Sequence, residues 1–224
     1  MVQFDRIPLT KRYLIKALKF ALRHPKTAFL CSILGIGPYM TLNEYKIAKK
    51  FLPQNPVEEK MISYSDTWQH MPTLYLLCLL KKPKIILELG CRTGNTTLPM
   101  LYAARQYGGH VYSVDIETWP EIQDFLVDKK SLSDFWTFIE SDDLKLKWNK
   151  PIDFLYIDTI HTYEQTLSEL QKYEPFLQSG GIMTLHDICD NEVSKAISDY
   201  FKNREDIQHV RYFNNCGLGI ILKK

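Results

Sequence analysis

The stretch Ile85-Ile86-Leu87-Glu88-Leu89-Gly90-Cys91-Arg92-Thr93-Gly94-Asn95-Thr96-Thr97 decides the fold, because it joins a buried strand to a glycine loop and then to a helix start. A unit of this kind cradles a nucleotide-type cofactor at the C-terminal end of its strand. Helical spacing after Gly94 leads to a second apolar strand, Val111-Tyr112-Ser113-Val114-Asp115. That strand ends on a carboxylate about 20 residues beyond the loop, where a ribose-binding acid is expected.

The same alternation continues outward from this unit. Strands are expected at 84–89, 110–115, 135–140, 152–158 and 181–186, with helices at 95–107, 120–129, 161–176 and 190–203. Strands alternating with helices imply an α/β, Rossmann-like, doubly wound sheet, mostly parallel and covered on both faces. Two further strands, 207–213 and 217–222, joined by Asn214-Asn215-Cys216, form a terminal hairpin and complete seven strands with an antiparallel last one. Upstream, Thr67 to Leu80 has the spacing of a helix leading into the first strand. Helical spacing also marks 10–24 and 42–52, broken at Pro25, Pro38 and Pro53, with a polar linker at 55–65. The expected organisation is therefore a basic helical extension over 1–66 and an α/β domain over 67–224.

The loop itself selects among cofactors. A dinucleotide fingerprint, GxGxxG, needs a middle glycine so that the backbone can close on a pyrophosphate. Here Cys91, Arg92 and Thr93 separate Gly90 from Gly94, and an acid, Glu88, precedes the loop. Those features suit a cofactor without phosphates that carries a cation. On these residues the chain resembles the class I S-adenosylmethionine-dependent methyltransferases, whose first motif has the form ExGxxxG. The resemblance covers about residues 67 to 224, and for the extension before them it implies a lid or oligomer contact. It implies S-adenosyl-L-methionine as cofactor, with Glu88, Gly90, Gly94 and Thr96 around the first loop and Asp115 on the ribose diol. Ser141, Asp142 and Asp158 complete the expected cofactor set, Asp142 toward the adenine amino group. A helix cap is the alternative for Asp142, and the two readings are compatible.

A second block runs Asp153-Phe154-Leu155-Tyr156-Ile157-Asp158-Thr159-Ile160-His161-Thr162-Tyr163-Glu164, and later Gly180-Gly181-Ile182-Met183-Thr184-Leu185-His186-Asp187. It is similar to the methyltransferase subfamily with IDxxHxY and GG...HD motifs, the domain 24-like group, and more distantly to the catechol O-methyltransferases. Carried over by position, Asp158, His186 and Asp187 would be ligands of a divalent cation, Mg2+ or Mn2+. His186 stands where the catechol enzymes have an aspartate, which tilts the donor set away from magnesium. The alternative is that Asp158 caps the following helix and that His186 and Asp187 bond the backbone. His161 is the candidate general base, beside Asp158 at the mouth of the cleft. His24, His70, His110 and His209 are read as surface or packing residues.

Composition sets the remaining bounds. With 224 residues, 45% hydrophobic and 24% charged, the chain can bury a substantial core. Its five cysteines are scattered without a CxxC pair, which argues for free thiols and a cytoplasmic setting. Residues 1–50 carry ten basic and two acidic side chains, and residues 51–224 carry 18 and 24. The basic arm is expected to meet protein, its own acidic body or a partner copy in a homodimer, before a nucleic acid or a peripheral membrane surface. The apolar run from Thr27 to Met40 is too short and too interrupted by Gly35, Gly37 and Pro38 to span a bilayer. No secretory signal is expected at the N-terminus. Function is expected to be methyl transfer to an oxygen of a small-molecule acceptor, assisted by His161 and a metal. The alternatives are a cofactor-binding sensor or scaffold without turnover, and an RNA methyltransferase guided by the basic arm.

Overall fold

The computed structural model describes residues 65–119 and 130–224. The extension's expected helices and the helix expected at 120–129 lie outside the described residues. Within them the chain runs α1 (Met71–Lys81), β1 (Ile85–Leu89), α2 (Thr97–Tyr107), β2 (His110–Asp115), α3 (Lys130–Ser133) and β3 (Trp136–Glu140). It continues through β4 (Ile152–Ile157), α4 (Tyr163–Tyr173), β5 (Leu177–His186), α5 (Asn191–Tyr200), β6 (Ile207–Tyr212) and β7 (Leu218–Lys223). One seven-stranded sheet results, in the order β3-β2-β1-β4-β5-β7-β6. All its pairings are parallel except those of β7, which runs antiparallel to both β5 and β6. The expected doubly wound architecture is present, and the hairpin is threaded so that β7 lies inside and β6 forms the edge.

Period-two alternation divides the core between the two faces of the sheet. Ile86, Phe154 and Tyr156 pack with Met71 and Leu74 of α1 and with Met100 and Leu101 of α2. Leu87, Leu89 and Leu155 pack on the other face with Leu170 and Tyr173 of α4 and Ile197 of α5. Because helices cover both faces, β1 and β4 are apolar almost throughout. Caps fix the flanking helices: Thr162 Oγ1 accepts from the Gln165 N–H at 3.3 Å, and Asp190 Oδ1 from the Glu192 N–H at 2.8 Å. Lys82 in the left-handed region returns its N–H to Cys78 and ends α1.

Four boundaries differ from expectation by three or more residues: α1 begins at Met71 instead of Thr67, α5 ends at Tyr200 instead of 203, and the other two have a local cause. The fifth strand begins at Leu177, four residues before its expected start at Gly181, because Gly180 and Gly181 form an irregularity within the strand. Pairing jumps from Ile152↔Leu177 to Phe154↔Ile182, Gly180 has φ +77°, and a Cβ on Gly181 would meet the Gln178 carbonyl at 2.7 Å. The helix expected to reach 176 ends at Tyr173 and tightens into a 3-10 turn at Glu174–Phe176, where Pro175 cannot donate to an α-helical bond.

Strand order reverses around β1, which pairs with β2 on one side and β4 on the other, so the crevice for a ligand opens at their C-terminal ends. Gly90 makes the approach there. It has φ +79°, and a Cβ on it would stand 2.0 Å from the carbonyl oxygen of Asp158. Gly90→Ala is therefore expected to lower unfolding free energy by about 2–4 kcal/mol through overpacking and left-handed strain. Urea denaturation checks it, and a loss below about 1 kcal/mol would show that this crossing is relaxed.

Candidate active site

Glu88 is fully buried on β1. It accepts hydrogen bonds from Thr96 Oγ1 at 2.6 Å, Thr97 Oγ1 at 2.6 Å and Ser113 Oγ at 2.5 Å. Burial pushes its carboxyl up to about 7, against the downward pull of the three hydroxyls. This side chain fastens the loop from behind. Gly94, with φ +79°, closes the turn through its N–H to the Cys91 carbonyl at 2.8 Å. Glu88, Gly94 and Thr96 thus shape the cradle, whereas Gly90, Asp115, Ser141 and Asp158 line the cleft in front of it, a space of about 280 Å³.

Asp115 projects from the end of β2 and organises the loop's outer surface. Its Oδ2 accepts from the backbone N–H of Cys91 at 3.0 Å and of Arg92 at 2.8 Å. Ser141 is placed beside it by its own N–H, which donates to the Asp115 carbonyl at 2.8 Å. Asp142 braces a turn, not the helix expected at 144–148, which is absent among the described residues: it accepts from the Leu144 N–H at 2.9 Å and pairs with Lys145 at 2.8 Å. The neighbouring Asp143 lines the cleft, together with Ile116, Glu117, Trp119, Thr159, Ile160 and Gln165, none of which was singled out in the sequence. One signal was available for two of them. Ile116 and Ile160 follow the strand-end acids Asp115 and Asp158 closely, and stand 69% and 60% exposed, a costly place for isoleucine unless a flat apolar group covers it.

At the far end of the cleft Asp158, His161, His186 and Asp187 come together. His161 Nε2 lies 2.9 Å from Asp187 Oδ2 and 3.5 Å from Asp158 Oδ1. His186 Nδ1 donates to Asp187 Oδ2 at 2.8 Å and lies 3.4 Å from Asp158 Oδ1. Tyr156 Oη donates to the other Asp158 oxygen at 3.0 Å. Asp158 is therefore committed to side chains, and Thr162 caps α4 in its place. Asp187 sits at φ +56°, a left-handed position that turns its carboxylate back toward Asp158.

Charge balance governs this cluster. Hydrogen bonds with Asp158 and Asp187 raise His161 to about 10. Burial works to lower His186, but Asp158 and Asp187 outweigh it and bring that imidazole to about 10 as well. Burial would raise Asp158, yet His186 and His161 hold it at about 2, and Asp187 is likewise depressed. Protonation of both imidazoles would balance the two carboxylates, at the cost of leaving the buried His186 Nε2 without a hydrogen-bond partner. His70, read as a packing residue, packs edge-on against His186 with ring centroids 5.4 Å apart. Its Nε2–H donates to the Asn215 carbonyl at 3.1 Å, and burial with the neighbouring His186 lowers it to about 4, so it stays neutral.

Asp158, His161 and Asp187 each offer a ligand atom, all within 4.8 Å of one another. The donor chemistry of two carboxylates and an imidazole fits a divalent cation, with nitrogen favouring manganese, iron or zinc over magnesium. Of the two histidines it is the half-exposed His161, not the buried His186, that is grouped with the two acids, and its Nε2 can act as a ligand or as a base but not as both at once.

Comparison with known proteins agrees with this geometry. Residues 87–188 match the family described as "Methyltransferase domain". A search of the curated proteins found no match. Among solved structures, an O-methyltransferase from Bacillus cereus in complex with SAH superposes with a TM-score of 0.61 at 15% identity, covering 83% of this chain and 98% of that one. TomG from Streptomyces achromogenes, an O-methyltransferase involved in tomaymycin synthesis and solved with SAM, gives 0.59 at 12% identity, over 80% and 95%. SAH-bound PaMTH1 from Podospora anserina gives 0.59 at 15%, over 80% and 86%. At these identities the structures establish the fold. Among the described residues no helix is long and apolar enough to cross a membrane.

The paired charges make stability depend on pH in a defined direction. The folded pKa of His161 lies above its ordinary 6.5, so its stabilising contribution is complete below 6.5 and fades as pH rises through about 10. His161→Gln should therefore be less stable than the wild type at pH 6, and the gap should close by pH 10.5. Urea midpoints across that range test it, and a gap that is constant with pH would remove the ion pairing.

Proposed function

We propose that the protein, whose residues 87–188 match the methyltransferase-domain family and whose fold is that of solved methyltransferases, moves a methyl group from S-adenosylmethionine to an oxygen of a small-molecule acceptor, with His161 as base and a divalent cation assisting. The observation that carries this reading is the position of Asp158, which lines the cleft and belongs to the histidine and carboxylate cluster. Cofactor cleft and proton-handling groups therefore share a wall.

The chemistry of the cleft lining supports this cofactor. Asp115 offers the ribose hydroxyls a carboxylate already oriented by two loop amides. Ile116, Trp119 and Ile160 offer apolar surface to a flat base. Asp115, Glu117 and Asp143 give the cleft the negative character that a sulfonium favours. The acceptor oxygen attacks the methyl carbon in line as the carbon–sulfur bond breaks, and the hydroxyl proton leaves to His161. Positioning of the two reactants supplies most of the acceleration, of the order of 7–11 kcal/mol in well-aligned systems.

His161 accepts that proton only in its neutral form, and the two carboxylates keep it protonated up to about 10. Positive charge brought close to Asp158 and Asp187 competes with the imidazolium for them and lowers its pKa. The sulfonium is one such charge. A divalent cation held by Asp158 and Asp187 would be another, and when bound it would stabilise the acceptor oxyanion.

Isothermal titration with S-adenosylhomocysteine should show Asp115→Ala weakening binding about 10- to 100-fold, the worth of charge-assisted hydrogen bonds, with its urea midpoint close to the wild type. Unchanged affinity would remove the ribose assignment. In methyl-release assays on an acceptor panel, His161→Ala should keep cofactor binding and lose turnover. Activity of the wild type should rise with pH, and added Mn2+ should move that rise to lower pH. His161→Ala protein that still binds Mn2+ supports the base role, whereas loss of Mn2+ affinity makes His161 a ligand instead.

A further inference from the structure

The cleft is lined by four carboxylates and, among the described residues, by a single cationic side chain, Arg92. An acidic cleft serves a sulfonium and repels an anion. Any carboxylate on a bound ligand therefore has one counter-charge available in the lining, and Arg92 is placed to supply it. Its backbone sits at φ +42°, held there because its own N–H and that of Cys91 both donate to Asp115 Oδ2. The guanidinium stands 5.9 Å from the Trp119 ring centroid and 70% exposed.

Its ionic contact within the protein is weak. Nη1 lies 3.8 Å from Asp66 Oδ2, and both side chains are more than half exposed, a separation and a setting worth little net energy. Asp66 is itself tethered, since its carbonyl accepts a hydrogen bond from Asn215 Nδ2 at the tip of the β6–β7 hairpin. A protein carboxylate thus already occupies one side of the guanidinium at loose range, and a ligand carboxylate in bidentate geometry would outcompete it.

We propose that Arg92 is the carboxylate-recognising residue of this cleft and that Asp66 competes with the ligand for it. The inference rests on the methyl-donor reading given above. The carboxylate has two sources, the amino acid end of the cofactor or an acid group on the acceptor, and a pair of probes distinguishes each.

For the cofactor, S-adenosylhomocysteine is compared with 5′-methylthioadenosine, which keeps the nucleoside and lacks the carboxylate. For the acceptor, 3,4-dihydroxybenzoate is compared with catechol on protein saturated with S-adenosylhomocysteine. Titrations of the wild type, Arg92→Gln and Asp66→Asn are expected to show the glutamine variant losing about 10- to 100-fold for the carboxylate member of one pair, with its neutral partner unaffected. Asp66→Asn should tighten the same probe about two- to fivefold, an opposite sign that a merely structural role of this contact would not give. Loss for the first pair assigns the cofactor's carboxylate, and loss for the second assigns the acceptor's. Equal loss for charged and neutral probes, or no loss in either pair, overturns the inference while leaving the methyl-donor reading standing. A wild-type protein that binds neither nucleoside overturns that reading and this inference with it.

Discussion

The buried carboxyl of Glu88 is the fixed point of this structure. It lies on the central strand and gathers hydroxyls from the start of α2 and from β2. A carboxyl removed from water is costly unless its oxygens are hydrogen-bonded, so the three donors and the acid hold one another in place. What they hold is the geometry of the turn. With Glu88 anchored, Gly90 can cross the backbone of Asp158, and the amides of Cys91 and Arg92 can point at Asp115. Three strand ends are tied together without a cofactor-binding group having to be rigid on its own account.

The opposite end of the cleft is organised by charge. Asp158 and Asp187 are brought together from two strands, a repulsive arrangement in a largely buried place. His161 and His186 neutralise it, and the four groups stand or fall as a set. Neutrality has a chemical consequence. A base kept protonated is inactive, so the same pairing that stabilises the resting protein makes His161 responsive to any cation arriving at the two acids. Stability and reactivity at this place are opposite readings of one electrostatic balance.

The fold was largely legible because its signals are local. Apolar runs bounded by glycine, proline and polar clusters marked β1, β2 and β4, and strand-end acids marked the crevice. What the sequence hid was of three kinds. The glycine pair at 180–181 marked the start of a strand because glycines give the same local signal at a strand's start and at an irregularity within it, and only the pairing with β4 distinguishes them. Asp142 and Asp143 are adjacent and chemically alike; the local turn takes Asp142 through the Leu144 amide, while Gln165 and Tyr173, distant in the chain, hydrogen-bond Asp143 at the cleft. Glu88 was expected to sit near the cofactor because it belongs to the loop motif, yet the pleat of β1 directs it inward, where Ser113 waits on β2.

These hidden features share a cause that also explains the cleft's wider lining. Sequence spacing fixes where a strand ends, and so places Asp115, Asp158 and Asp187 at one edge of the sheet. It does not fix the rotation of the short segments that follow, which depends on contacts between segments distant in the chain. The backbone of Arg92 is left-handed because a β2 carboxylate takes its amide, and its guanidinium stands near Trp119 and Asp66, residues 27 positions after it and 26 before it. The strand ends thus supply an acidic frame common to the whole crevice, while the turns between them decide where Arg92, the one cationic side chain of the lining among the described residues, is presented. Recognition of what enters the cleft is written in those turns, and the sheet's part is to hold them at a constant distance from the histidine and carboxylate cluster.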